Sequence, residues 1–390
     1  MAEFPRKLFN KLQDRRTKDG LRELAPSSHK VDFVSNDYLG MAKDEGIFKG
    51  AYQFLLDQNA VQNGSTGSRL LSGNNELFLK TEEKVAHFYG SETALIFNSG
   101  YDANLSFFAA VPQRTDVVFY DEFSHASIRD GIALGKARSY KFEHNNIEDL
   151  RALVNRVQSG NYEDMECYVV TEAVFSMDGD SPDMDAMIAL CKEYNCHLIV
   201  DEAHAIKTTN ESIKFVEQKE DDPYFARLVT FGKAIGVQGA AILGSSHLKS
   251  YLVNFARSFI YTTALPPISI ASVLIVHSEE YLDRMKTKTA LLQRNIQYFK
   301  DLTKSIGLSN YFIPSSSPIH CCIIPGNKMV KEIAVNLQKN GFDIRPILAP
   351  TVPEGQERLR FCLHSFNTQE EIKEVLSILS KSLNAQCNGE

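Results

Sequence analysis

From about residue 90 onward, short β-rich apolar runs alternate with stretches whose apolar residues recur at helical spacing. The runs are TALIF (93–97), DVVFY (116–120), CYVVTEAVF (167–175), CHLIVD (196–201), RLVTF (227–231) and AAILG (240–244); DMDAMIALCKEY (183–194) is one of the helical stretches between them. Near-continuous apolar strands alternating with helices predict an α/β fold with a mostly parallel central sheet and helices on both faces. Near residue 280 the texture changes. YLDRMKTKTALLQRNIQYFKDLTKSIG (281–307) predicts one long amphipathic helix, IHCCIIP (319–325) and LRFCLH (359–364) read as strands, and MVKEIAVNLQKNG (329–341) and TQEEIKEVLSILSKSL (368–383) read as helices. That is the pattern of a smaller α+β C-terminal domain. The expected division is an N-terminal helix and arm over residues 1–45, a large domain over 46–280 and the small domain over 281–390.

In open α/β sheets ligands bind beyond the carboxyl ends of the strands, so the residues that follow each apolar run are informative. Asn98-Ser99-Gly100-Tyr101 follows the first run, DEFSHAS with His125 the second, Ser176 the third, DEAH with Asp201 and His204 the fourth, and Lys233 the fifth. Taken singly, each is ordinary. A strand-end histidine is most often structural, an aspartate such as Asp121 is usually a cap, and NSGYDAN fits a plain helix start. Five in succession predict a site.

Lys233 lies in VTFGKAIGVQGAAIL (229–243), an apolar and glycine-rich stretch. Desolvation disfavours an ammonium and frees the amine as a nucleophile, which suits a Schiff base with a carbonyl. The plainer alternative, a lysine snorkelling to solvent, is less natural beside Gly232, Gly236 and Gly239. Pyridoxal 5′-phosphate (PLP) needs such a lysine, an acidic partner for its pyridinium nitrogen and a phosphate cradle. Asp201 supplies the acid, and Ser99-Gly100-Tyr101 entering a helix supplies the cradle. His125 then suits stacking on the ring, and His204 and Ser176 suit hydrogen bonds to its O3′.

Composition narrows the field further. The chain of 390 residues is 43% hydrophobic and 23% charged, as in soluble globular proteins, and its net charge of −7 disfavours a nucleic-acid or anionic-membrane partner. A small-molecule substrate is expected instead. Seven cysteines (167, 191, 196, 321, 322, 362 and 387) form no CxxC pair, which suits buried thiols in a reducing cytoplasm. No secretory h-region or membrane-length apolar run occurs, and the basic KLQDRRTK (11–18) is broken by an aspartate, as on a solvated helix face. DEAH also marks helicase-type ATPases, but those need a G-x-x-x-x-G-K-[ST] loop, and the sequence has none. His125, His204 and Asp201 lack HExxH or CxxC spacing, so no metal site is expected. A non-catalytic binding protein on the same fold stays open, to be separated by the spectrum of a bound cofactor.

SNDYLG (35–40), GSTGSRLLSGN (64–74), FNSGYDAN (97–104), DEFSHAS (121–127), TEAVFSMDGD (171–180), VDEAHA (200–205), TFGKAIGVQGAAI (230–242), YTTALPP (261–267) and TVPEGQERLRF (351–361) occur in this order. Together they resemble the α-oxoamine synthases, PLP enzymes of transferase fold type I, which condense an amino acid with an acyl thioester and lose CO₂. TFGK followed by GVQGAAI, with YTTALPP, most resembles the branch that joins L-alanine to a pimeloyl thioester in biotin biosynthesis. Sister enzymes take glycine or serine.

The resemblance implies that Lys233 is the Schiff-base lysine and Cα acid/base, that Asp201 pairs with the pyridinium, and that His125 stacks on the ring. It implies Ser176 and His204 at O3′, Ser99, Gly100 and Tyr101 in the cofactor loop, and Thr230 at the phosphate. Thr262 and Thr263 match a segment reaching the phosphate of the neighbouring subunit, so a homodimer with its site at the interface is implied. Asn36 and Arg360 match residues that hold the amino-acid carboxylate, a task suited to a bidentate guanidinium. The acyl donor is a CoA or carrier-protein thioester, and Arg22 and Arg345 are candidates for its chain end. One departure stands out: the family's glycine-rich stretch after DEAH is replaced here by a segment with no glycine between His204 and Gly232.

Overall fold

The six apolar runs of the expected large domain all form strands. The computed structural model describes residues 4–22, 24, 29–160, 164–205 and 223–387; most of the glycine-free segment, residues 206–222, lies outside them. In chain order the strands are β1 (Val31–Asp32), β2 (Thr93–Phe97), β3 (Val117–Asp121), β4 (Arg138–Phe142), β5 (Cys167–Glu172), β6 (His197–Asp201), β7 (Ala226–Thr230), β8 (Ala240–Gly244), β9 (Ile319–Ile323), β10 (Phe342–Asp343), β11 (Arg345–Ile347) and β12 (Arg358–Cys362). Seven of them form one sheet in the order β2-β8-β7-β6-β5-β3-β4. Only β8 runs against its neighbours in that sheet, so it is mostly parallel, as expected.

Alternate side chains of a strand face opposite ways, and here both faces are apolar. Val118, Val170, Ile199, Leu228 and Ile242 join Phe107 in one core. Val117, Phe119, Val169, Leu198 and Val200 join Leu150 and Met187 in the other. β4 was not among the expected strands. Its first four residues, RSYK, alternate between half-buried and exposed positions at the sheet edge and only Phe142 is buried, so the run is too polar to stand out.

Chain packing divides the molecule into two units, one of Met1–Ser35, Met177–Asp180 and Leu291–Glu390, the other of Asn36–Ser176 and Ser181–Ala290. The expected borders at residues 45 and 280 thus move to 35 and 290. The arm joins the first unit because β1 pairs in parallel with β10, and the second border falls inside a single helix, Glu279–Ser305, which carries no glycine or proline to mark it. The first unit also holds the antiparallel sheet β11-β12-β9 and the helices Asn327–Lys339 and Gln369–Cys387. Six described cysteines are unpaired thiols; five are buried, whereas Cys196 is half-buried.

Candidate active site

β2, β3, β5, β6 and β7 point the same way, and a cavity of about 380 Å³ is lined by residues at and just beyond several of their carboxyl ends. It gathers Asn36, Ser99, Gly100, Tyr101, His125, Asp201, His204, Thr230 and Lys233 from the sequence-predicted set. Ser176, Thr262 and Thr263 are not among its lining residues. Asn98 Nδ2 donates to Thr263 O at 2.8 Å and to Thr262 Oγ1 at 3.3 Å, so within this chain both threonines lie beside the loop that follows β2. Arg360 belongs to the other unit, in β12, opposite Arg345 of β11 and Cys321 of β9. In that unit Arg22 donates to Thr351 Oγ1 at 3.0 Å and Arg345 pairs with Asp343 at 3.0 Å.

The loop after β2 turns into the helix Gly100–Ala110. Ser99 caps it, with its Oγ accepting from Asp102 N at 3.1 Å, while the N–H groups of Gly100 and Tyr101 in the first turn have no intrahelical acceptor. Gly100 is packed so closely on Thr230 that an added Cβ would stand 2.6 Å from Thr230 Cγ2. Such a helix start, free of side-chain bulk, suits a phosphate group.

The lysine loop between β7 and β8 folds onto itself through Val237 N to Phe231 O (2.8 Å) and Gly236 N to Lys233 O (3.0 Å). Gly236 has φ +74°, and a Cβ there would stand 2.3 Å from Ala42 N, which accounts for glycine in this stretch. Lys233 Nζ lies 2.7 Å from His204 Nε2, and His204 Nδ1 lies 2.7 Å from the Tyr38 hydroxyl, which donates to Asn36 Oδ1 at 3.1 Å. The amine is thus linked to a chain of three polar side chains, of which His204 and Tyr38 are buried and Asn36 is half-buried.

Asp201 ends β6. Its Oδ1 accepts from Ala203 N at 2.9 Å and its Oδ2 from Asn104 Nδ2 at 2.8 Å. Asn104 Nδ2 also donates to Ser127 Oγ (3.0 Å), which lies 2.7 Å from His125 Nδ1. His125 caps the helix Ala126–Leu134 through Ser127 N to Nδ1, and burial, opposed by Asp201, holds its imidazole below the usual histidine range. Its ring is therefore neutral near pH 7. Asp121, suspected of capping, accepts from Phe123 N, His144 Nδ1 and Asn145 N and is fully buried.

Glu172 was not singled out in the sequence, because CYVVTEAVF reads as one apolar run ending at Ser176. The strand stops three residues before the end of that run, so Glu172 takes the strand-end position and lines the cavity. Tyr38 and Asn104 were likewise passed over, although both lie in motifs quoted above. A buried polar residue four positions into the helix after Gly100 was the available signal for Asn104.

Residues 28–379 match the family model for aminotransferase class I and II. The chain belongs to that family. Its members are PLP enzymes, and this chain is a PLP-dependent enzyme of transferase fold type I. A putative 8-amino-7-oxononanoate synthase of Bacillus licheniformis is 33% identical over 362 residues, 92% of this chain and 93% of the relative. The 8-amino-7-oxononanoate synthase of Emericella nidulans is 33% identical across 97% of both chains. Among solved structures, Sphingomonas wittichii serine palmitoyltransferase superposes with a TM-score of 0.87 at 26% identity, covering 98% of this chain and 99% of that one. The 8-amino-7-oxononanoate synthase of Francisella tularensis gives 0.75 at 27% identity, over 92% and 99%. These relatives are α-oxoamine synthases, in line with the resemblance in the sequence.

The cavity suits the cofactor. It offers an amine, a buried carboxylate and a helix start without side-chain bulk, and its neutral imidazole is tied to the same hydrogen-bond network as the carboxylate.

Proposed function

We propose that the protein condenses L-alanine with a pimeloyl thioester, giving 8-amino-7-oxononanoate, CO₂ and the free thiol, in keeping with its relatives among the 8-amino-7-oxononanoate synthases. The observation that carries this reading is the presence of Lys233, Asp201 and the Gly100 helix start in one cavity. PLP, when bound, supplies an electron sink for charge developing at the substrate Cα. Lys233 would anchor the cofactor, and Asp201 would hold its ring nitrogen. Gly100 and Tyr101 N–H groups with Thr230 would hold the phosphate, and His125 would lie against the ring.

Lys233 Nζ would take the Cα proton of the bound amino acid and later return one to the same carbon. His204, 2.7 Å from Nζ, is placed to share that proton and to pass it toward Tyr38. Asn36 and Arg360 would hold the substrate carboxylate, and Ser176 would face O3′. Thr262 and Thr263 would serve the cavity of a second copy in a homodimer. Exposed Phe48, Tyr52 and Leu56, spaced four apart on the helix Glu45–Asp57, support such an association.

A second reading, with serine as the amino acid, is favoured by the TM-score of 0.87 to serine palmitoyltransferase. Sequence identity to the named relatives weighs the other way. The deciding experiment measures thiol release from pimeloyl-CoA with alanine, glycine or serine. Alanine-dependent release is expected; release only with serine and a long-chain acyl-CoA would replace the first reading with the second.

A further inference from the structure

We propose that Glu172 is a positioning residue of the cofactor cavity, kept as an uncharged carboxylic acid that anchors His125 beside the carboxyl group of Asp201. This rests on the PLP reading of the cavity, and not on which amino acid or thioester is used.

Glu172 ends β5 as Asp201 ends β6, and the two are register partners on adjacent parallel strands. Such strands lie about 4.8 Å apart, so the two carboxyl groups start as close neighbours. Both residues are buried and both line the cavity. Two carboxyl groups buried side by side oppose each other's ionisation, and the one with fewer donors at its oxygens is the one that keeps a proton. Asp201 accepts an N–H on each oxygen. Glu172 accepts one N–H only, from the His125 backbone to Oε1 at 2.6 Å, and Oε2 takes none from the described residues. Oε2 of Glu172 is the oxygen free to bear the proton.

The charged and titratable groups around Glu172 come from every neighbouring element: Asp201 on β6, Lys233 in the loop after β7, Asp121 at the end of β3, and His125 just beyond it. Burial acts most strongly on Glu172, Asp201 adds to it, and together they push its carboxyl up to about 8 against the opposing effects of the His125 N–H and Lys233. The neutral acid holds the residue that caps the helix Ala126–Leu134, whose imidazole is tied through Ser127 and Asn104 to Asp201. One carboxyl thus supports the ring-facing histidine and leaves the other undisturbed.

The full-length apoprotein provides the test, compared with E172Q, the uncharged isostere. With a carboxyl at about 8 when folded and 4.5 as its ordinary value, the folded state carries an extra proton between those limits. Stability from this group is complete below the lower limit and lost as pH rises through the upper one. Relative to E172Q, the wild-type folding constant should fall about tenfold per pH unit between about pH 5 and 8. Parallel pH profiles for the two proteins would overturn the proposal.

PLP titration of the apoproteins at pH 7 is the second arm. E172A should weaken binding and E172Q restore it to within about threefold of wild type. An E172Q as impaired as D201N would show that negative charge at residue 172 is required, and the proposal would fall. Should E172Q not fold, infrared spectra of wild type decide: a protonated-carboxyl band lost between about pH 6 and 9 is expected, and no such band at pH 6 sinks the idea. Neither amino acid nor thioester enters these readouts, so a wrong substrate assignment leaves them unmoved.

Discussion

The two ends of the β5–β6 strand pair carry opposite kinds of acid. At the carboxyl ends Glu172 faces Asp201 across the register; at the amino ends Cys167 opens β5 and Cys196 stands just before β6. In the carboxyl pair burial dominates, Asp201 repels a second charge, and Glu172 is pushed up to about 8. In the thiol pair the neighbouring Cys196 thiol lowers Cys167 to about 7 against the effect of burial, while Cys196 itself is raised. A neighbour that can donate stabilises an anion, and one already charged opposes it. Strand direction then separates the roles: only the carboxyl ends open into the cavity.

The largest effect that would sharpen this contrast comes from K233A. Turnover should drop by about 10³–10⁴-fold with loss of the cofactor's lysine-linked absorbance, while thiol reactivity at Cys167 stays unchanged. Retained turnover would remove the carboxyl end from the chemistry altogether. G100A is expected to act on the same end more mildly. Its new methyl group meets Thr230 Cγ2 at 2.6 Å, and overpacking of about 1–3 kcal/mol translates into PLP affinity weakened roughly 5- to 150-fold, read by titrating the apoprotein. Adding T230S should recover part of it.

The smallest effect belongs to the thiol end. C196A removes the neighbouring thiol that holds Cys167 down, so the thiolate absorbance of Cys167 should move to higher pH by about one to two units. PLP affinity should stay within about twofold, since the pair lies at the amino ends of strands whose carboxyl ends bind ligand. A C196A variant that lost the cofactor would erase the distinction between the ends.

Much of this architecture was legible beforehand, for a physical reason. TALIF and AAILG became strands over the same residues, because runs buried on both faces must be apolar throughout. Edge position hid β4, where one face meets solvent and the pattern dilutes. Lys233, Asp201 and Gly100 could be singled out because an amine in an apolar run, an acid ending a buried strand and a glycine opening a helix are each conspicuous locally. Glu172 was not, since one charged residue within TEAVF reads as an irregularity in a long apolar run. Only the hydrogen-bonded end of β5 shows that the strand stops there.

By itself, then, the sequence determined which chemical groups are available and the strand ends where they collect, because both follow from local periodicity and residue type. Tertiary structure alone decided which groups meet. The register of β5 on β6 sets Glu172 beside Asp201, and the closure of the lysine loop sets Nζ beside His204 and Tyr38. Those contacts join residues 29 to 166 positions apart, and the acidity of Glu172 depends on burial that only the assembled core creates.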